Sequence, residues 1–145
     1  MINENFATMA DVHRILGTLP LGVDLMPTAD GREKTIEASQ ARLARMLGSD
    51  ATNAHDETWT LLARWFAEAQ IRAIADAATL VMSSGPPTSA SPIIAAGIGL
   101  AVIAEIARRL GCAYATFDEL LDVAPEMRVA VCHCAPAAAL ASLSS

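Results

Sequence analysis

A run of turn-forming residues, Ser83-Ser84-Gly85-Pro86-Pro87-Thr88-Ser89, divides this chain and constrains what can lie on either side of it. It stands inside a stretch that carries no charge between Asp76 and Glu105. Unbroken, that stretch would approach the roughly 20 apolar residues that a membrane-spanning helix requires. Proline removes a backbone donor and glycine loosens the chain, so no helix runs through the break. Two apolar pieces remain, each too short to span. The chain therefore reads as one without a membrane partner, and its hydrophobic pattern changes type at this point.

Before the break, the spacing predicts three helices. Residues 7–16 place Val12, Ile15 and Leu16 on one face, with Thr8 positioned as a cap and Gly17 as the stop. Residues 19–32 read as irregular, punctuated by Pro20, Gly22, Pro27 and Gly31. Residues 33–47 form the second helix, with Ile36, Leu43 and Leu47 on its buried side and Gly48 following as a C-cap. The third helix, 56–82, has the strongest pattern. Arg64, Glu68, Arg72 and Asp76 recur every four residues with alternating sign, which makes one exposed, salt-bridged stripe. Trp59, Leu62, Trp65, Phe66, Ile71, Ile74, Leu80 and Val81 fill the rest of the circumference, so the helix is expected to be mostly buried. Its length suits either one helix or two joined by a kink.

After the break, Pro92-Ile93-Ile94-Ala95-Ala96 is a short uncharged run that suits a buried strand at 93–96. Gly97-Ile98-Gly99 follows, then a helix at 100–110 ended by Gly111, then a second strand at 114–117. Asp118 caps a short turn at 119–121, and residues 125–143 read as a closing helix kinked near Pro136. Strand, glycine turn, helix and strand make a βαβ unit, which favours a parallel pair. The organisation is one partial domain over 1–145, a helical segment at 1–84 and a strand–glycine-turn–helix segment at 90–145. No internal repeat is present.

Composition narrows the function classes. Apolar residues make up 53% of the chain and aromatics only 4%, so small aliphatics carry the hydrophobicity. The surplus suits either an Ala-rich helical domain or a core meant to face protein absent from the chain. A net charge of −6 and a pI near 4.9 speak against nucleic acid, whose phosphates demand a basic face. Three cysteines, Cys112, Cys132 and Cys134, form no disulfide framework and fit a reducing cytoplasm. Residues Met1 to Phe6 lack the charged and apolar regions of a signal peptide.

Three sets of residues invite chemistry. Gly97, Ile98 and Gly99 lie between a strand and a helix start, where free N–H groups and the positive end of the helix dipole meet a ligand. Only G-x-G is present, so the turn reads as nucleotide contact or as a plain tight turn. Cys132-His133-Cys134 lacks the paired spacing of a zinc site and reads as thiols in an Ala-rich helix; no metal is expected. Thr8, Asp11, Asp30 and Arg32 are polar groups beside apolar segments, with no nucleophile and base readable among them.

Several segments together resemble a known family. Asn5-Phe6-Ala7-Thr8-Met9-Ala10-Asp11-Val12-His13-Arg14-Ile15-Leu16-Gly17 resembles its Ala-Thr-x-Ala-Asp-Val segment, and Pro27-Thr28-Ala29-Asp30-Gly31-Arg32 is similar to its Pro-Thr-Ala-Asp-Gly-Arg loop. Ala41-Arg42-Leu43-Ala44-Arg45-Met46-Leu47-Gly48, Ala96-Gly97-Ile98-Gly99 and Cys134-Ala135-Pro136-Ala137 follow in the family's order. The family is the hydantoinase/oxoprolinase-like proteins of tetrahydromethanopterin-linked one-carbon metabolism, with an actin/hexokinase-like (ASKHA) fold. The resemblance implies work in methanofuran-type cofactor biosynthesis. It implies that Gly97, Ile98 and Gly99 bind cofactor at the adenosine motif, and that Thr8, Asp11, Asp30 and Arg32 line a substrate cleft.

The family's N-terminal half, with its Asp-x-Gly-Gly and Gly-Gly-Thr-Thr-Thr-Asp phosphate turns, has no counterpart in these residues. The expectation is therefore a mainly helical α/β chain, the C-terminal half of an ASKHA fold, incomplete as a catalyst alone. No cofactor is expected on the isolated chain; ATP and Mg²⁺ belong to the full-length context. Its partner is expected to be the missing N-terminal half or a further copy of itself. A non-enzymatic helical interaction module and a gene remnant are the alternatives.

Overall fold

The computed structural model describes residues 6–84 and 91–144. The Gly85–Ser89 part of the predicted turn, and Asn5 of the first family-like segment, lie outside the described residues. The chain divides into two compact units, Met1–Gln70 and Ile71–Ser145. The described residues are mainly helical, with one small parallel sheet among them. Among the described residues no helix is long and apolar enough to cross a membrane.

In the first unit, α1 (Met9–Ile15) and α2 (Ile36–Arg45) pack on each other, and the start of α3 (Asp56–Ser83) joins them. Thr8 precedes α1 as its N-cap in extended backbone, and the Asp11 carboxylate reaches back to the Thr8 N–H at 3.0 Å. That carboxylate satisfies a donor the helix leaves unpaired. Thr35 caps α2, its hydroxyl accepting from the Ala38 N–H at 3.1 Å. Val12, Ile15, Leu43 and Ala63 form the core, with Met9, Leu16, Leu62, Phe66 and Ala67 around it. Burying each large aliphatic there stabilises the fold by about 1.5–3 kcal/mol. Trp59 is buried, and its indole N–H donates to the Ala51 carbonyl at 2.9 Å.

Three expectations need correction here. α3 is a single helix with no break, but of its residues only Trp59 and Ala63 are buried. A thin polar stripe predicts burial only when other elements cover the remaining surface. Arg64, Arg72 and Asp76 are exposed as expected, whereas Glu68 is half-buried. On α2, Leu43 is buried, but Ile36 and Leu47 are 47% and 49% exposed. Ile36 is the first helical residue and Leu47 lies past the last, where the helix no longer holds them against α1.

In the second unit, β1 (Ile93–Ala95) and β2 (Tyr114–Thr116) pair in parallel, with Ile93 opposite Tyr114, Ile94 opposite Ala115 and Ala95 opposite Thr116. α4 (Leu100–Leu110) connects them and packs on both strands. The predicted βαβ unit is present. Gly111 ends α4 at φ +66°, the left-handed conformation that glycine adopts without a side-chain clash. Its strand is less buried than expected: Ala95 is fully covered, while Ile94 is 36% exposed. Two strands offer only one protected face.

The turn after β2 is a 3-10 helix at Phe117–Leu120, which takes in Asp118. The closing segment is not one kinked helix. A 3-10 turn at Pro125–Met127 leads into α5 (Arg128–His133), and α6 (Ala135–Leu143) follows after a break at Cys134. The break comes two residues ahead of Pro136, whose ring and missing N–H require the chain to restart there. Ala95, Ile106, Ala107, Val131, Cys132 and Ala135 are the buried apolar residues of this unit, and Asp118 is buried beside them.

Candidate functional site

The first unit is organised around a buried ion network. Oδ1 of Asp11 accepts from Arg42 Nη2 at 2.7 Å, Arg42 Nε at 2.9 Å, Ser39 Oγ at 2.9 Å and Arg14 Nη1 at 3.1 Å. Oδ2 accepts from the Thr8 N–H at 3.0 Å and the Thr8 hydroxyl at 3.3 Å. The Arg42 side chain has no exposed surface. Its Nη1 donates to Asp30 Oδ1 at 3.0 Å, and Arg45 Nη1 reaches Asp30 Oδ2 at 3.3 Å. Arg14 also pairs with Asp24, whose backbone carbonyl accepts from Lys34 Nζ at 2.5 Å.

The local sequence dictates this convergence. Asp11 is the third residue of α1, which points its carboxylate back at the cap. Ser39 and Arg42 are one turn apart on α2, so both reach the same carboxylate. Asp30 sits in a tight turn: the Arg32 N–H donates to its Oδ1 at 3.2 Å, and Gly31 takes φ +70°. Thr28 closes the loop by donating to the Arg32 carbonyl at 2.7 Å.

Burial alone would raise the Asp11 carboxyl, but hydrogen bonds from Arg42, Thr8 and Ser39 and the charge of Arg42 outweigh it and hold it below its ordinary value. Burial likewise opposes ionisation of Asp30, and is outweighed by the Arg32 N–H and by Arg42 and Arg45. Arg42 is pushed up, its own desolvation overcome by Asp11 and Asp30. Among the described residues no buried side-chain polar atom lacks a hydrogen-bond partner. A carboxylate so fully bonded is a poor base, and a guanidinium with no exposed surface does not meet a ligand. The network acts as a scaffold.

The structure thus brings together Thr8, Asp11 and Asp30 of the sequence-named cleft residues. Arg32 stands at the edge, 3.9 Å from Asp30, with its side chain 61% exposed. It borders an open hollow of about 510 Å³ beside Glu33, Thr35 and Glu37. Arg14, Asp24, Ser39 and Arg42 were not singled out by sequence reasoning. The available signal was an arginine and a serine one turn apart on α2, beside two aspartates that each needed a cation.

Gly97, Ile98 and Gly99 belong to the second unit. Gly97 has φ +83°, and its N–H donates to the Cys132 carbonyl at 2.7 Å. That donor is therefore not free, contrary to expectation. The first-turn N–H groups of α4 remain the donors that helix geometry leaves without intrahelical partners. Gly99 caps α4, a Cβ there would meet no atom within 4 Å, and Ile98 is 47% exposed. Nearby, the buried Cys132 thiol donates to Asp118 Oδ1 at 2.9 Å. Burial and this carboxylate push the thiol up, so it stays protonated. Cys112, Cys132 and Cys134 are free thiols. Among the described residues no three His, Cys, Asp or Glu side chains are grouped to hold a metal ion.

No known family model matches the chain, and no curated protein is significantly similar to it.

Proposed function

We propose that this chain is the C-terminal part of a hydantoinase/oxoprolinase-like protein of tetrahydromethanopterin-linked one-carbon metabolism, acting in methanofuran-type cofactor biosynthesis in the cytoplasm. In this reading the α/β chain is half of an ASKHA fold. A polypeptide carrying the two phosphate turns completes the catalyst and brings ATP and Mg²⁺. One observation carries the reading. The three family-like segments of the first unit, separate in sequence, converge on one network: Asp11 from the first, Asp30 from the second, Arg42 and Arg45 from the third. The network holds the Asp30-Gly31-Arg32 turn rigid and leaves Arg32 outward, a cation offered to an anionic substrate. Gly97, Ile98 and Gly99 offer the adenosine side an open turn at the start of α4.

A second reading, a non-enzymatic interaction module, draws on the exposed Leu21, Leu25, Leu140 and Leu143. Calorimetry with ATP and Mg²⁺ separates the two. The isolated chain should bind ATP no tighter than about millimolar, and turnover should appear once a polypeptide bearing Asp-x-Gly-Gly and Gly-Gly-Thr-Thr-Thr-Asp is added. Absence of turnover in the reconstituted pair favours the interaction module. ATP turnover by the chain alone, abolished by Gly99→Leu, would overturn the fragment reading.

A further inference from the structure

α3 carries two adjacent rows of residues spaced four apart: Arg64, Glu68, Arg72 and Asp76, and beside them Trp65, Ala69, Ala73 and Ala77. Rows of this spacing are the ridges and grooves by which helices pack. Trp65, Leu61 and Leu80 are 57%, 56% and 69% exposed, and Ala69, Ala73 and Ala77 are exposed between them. Bulky residues toward the ends with alanines between leave a shallow trough that a second helix can enter.

The order of the charges says which helix. Arg64 precedes Gln70 by as many residues as Asp76 follows it, and Glu68 and Arg72 are spaced likewise. Each of these pairs is opposite in sign. Turned end for end about an axis level with Gln70, the row becomes its own complement. Arg64 meets Asp76 of the second copy, Glu68 meets Arg72, and the symmetry makes each pair twice. Trp65 of one copy then lies level with Ala75 of the other, large against small. A parallel pairing would set like charges together. Glu68 and Arg72 have partners within their own chain, so the inference leans on Arg64 and Asp76, both exposed.

We propose that two copies of this chain associate through α3, antiparallel about a two-fold axis level with Gln70. This inference does not depend on the one-carbon reading. A single helix pair is small for a specific interface, so the dimer should form at chain concentrations on the order of tens of micromolar.

Sedimentation velocity of the full chain tests it. Arg64→Glu sets two acids opposite each other at both ends of the pair, and Asp76→Arg sets two bases there. Each variant alone should associate about tenfold more weakly than the parent chain. An equimolar mixture should recover the parent's association, because Glu at 64 then faces Arg at 76 and Asp76 faces Arg64. The double variant R64E/D76R should recover it within one chain. A parent chain that stays monomeric up to about 200 µM would overturn the proposal, given the affinity expected of such an interface. So would single variants that associate like the parent, or recovery in neither the mixture nor the double variant.

Discussion

Arg42 and Asp11 show what one buried pair does for a small unit. Removing one member leaves the other charge desolvated without its counter-charge, which costs about 3–5 kcal/mol. Arg42→Ala should lower the stability of the chain by that amount in urea unfolding, whereas Arg32→Ala, at an exposed pair, should cost less than about 1 kcal/mol. The network also makes stability depend on acid. Asp11 and Asp30 titrate lower in the folded chain than in the unfolded one, so the unfolded state binds more protons. Their contribution is fully present above the ordinary carboxylate range, about pH 4, and is lost as pH falls through the folded values. Unfolding followed from pH 7 to about pH 3 should show that loss, and Asp11→Asn should flatten it. Asp11 and Asp30 were legible in the sequence as polar residues worth watching. Arg42 was not, because a charged residue inside a helix reads as solvated until its neighbours are known.

At the scale of elements, caps and glycine turns were the most readable features. α4 begins and ends where the spacing placed it, because Gly99 and Gly111 bound it. The two glycines serve different ends. Gly111 needs its left-handed backbone, so Gly111→Ala should cost about 1–2 kcal/mol by thermal or urea unfolding. Gly99 has φ −91° and open space beside it. There Gly99→Ser should change stability by less than about 0.5 kcal/mol, since serine caps a helix as well as glycine does. α3 makes the opposite point. Its pattern located both ends, yet periodicity did not say what covers it. With Trp59 and Ala63 buried and the 71–83 stretch exposed or half-exposed, its amides should differ in protection. Hydrogen exchange on dilute chain should be slow for 59–67 and faster for 71–83.

For the whole molecule, the quantity that decides the proposed reading is the binding energy that the start of α4 can offer ATP by itself. The start of α4 offers a nearby anion about 0.3–1 kcal/mol from the helix dipole. Micromolar ATP binding needs about 8 kcal/mol. With the Gly97 N–H already bonded to Cys132, the deficit grows. The millimolar limit expected in calorimetry follows from that gap. Exposed apolar residues in both units, Leu21 and Leu25 in the first and Leu140 and Leu143 in the second, add surface suited to further protein.

Local chemistry determined most elements from the sequence alone: a threonine cap for α1, a glycine after α2, glycines around α4, a proline near the restart of the closing segment, and an uncharged run for β1. These signals act within a few residues of one another, so no tertiary contact is needed to read them. The parallel pairing of β1 and β2 followed too, because a helix between two strands favours that geometry. Only the tertiary structure decided which charges are buried and which apolar faces stay open. Asp11 and Arg42 lie on different helices, and the desolvation of each is tolerable only because the other arrives. Burial belongs to pairs of surfaces, and the sequence of one surface does not name the other.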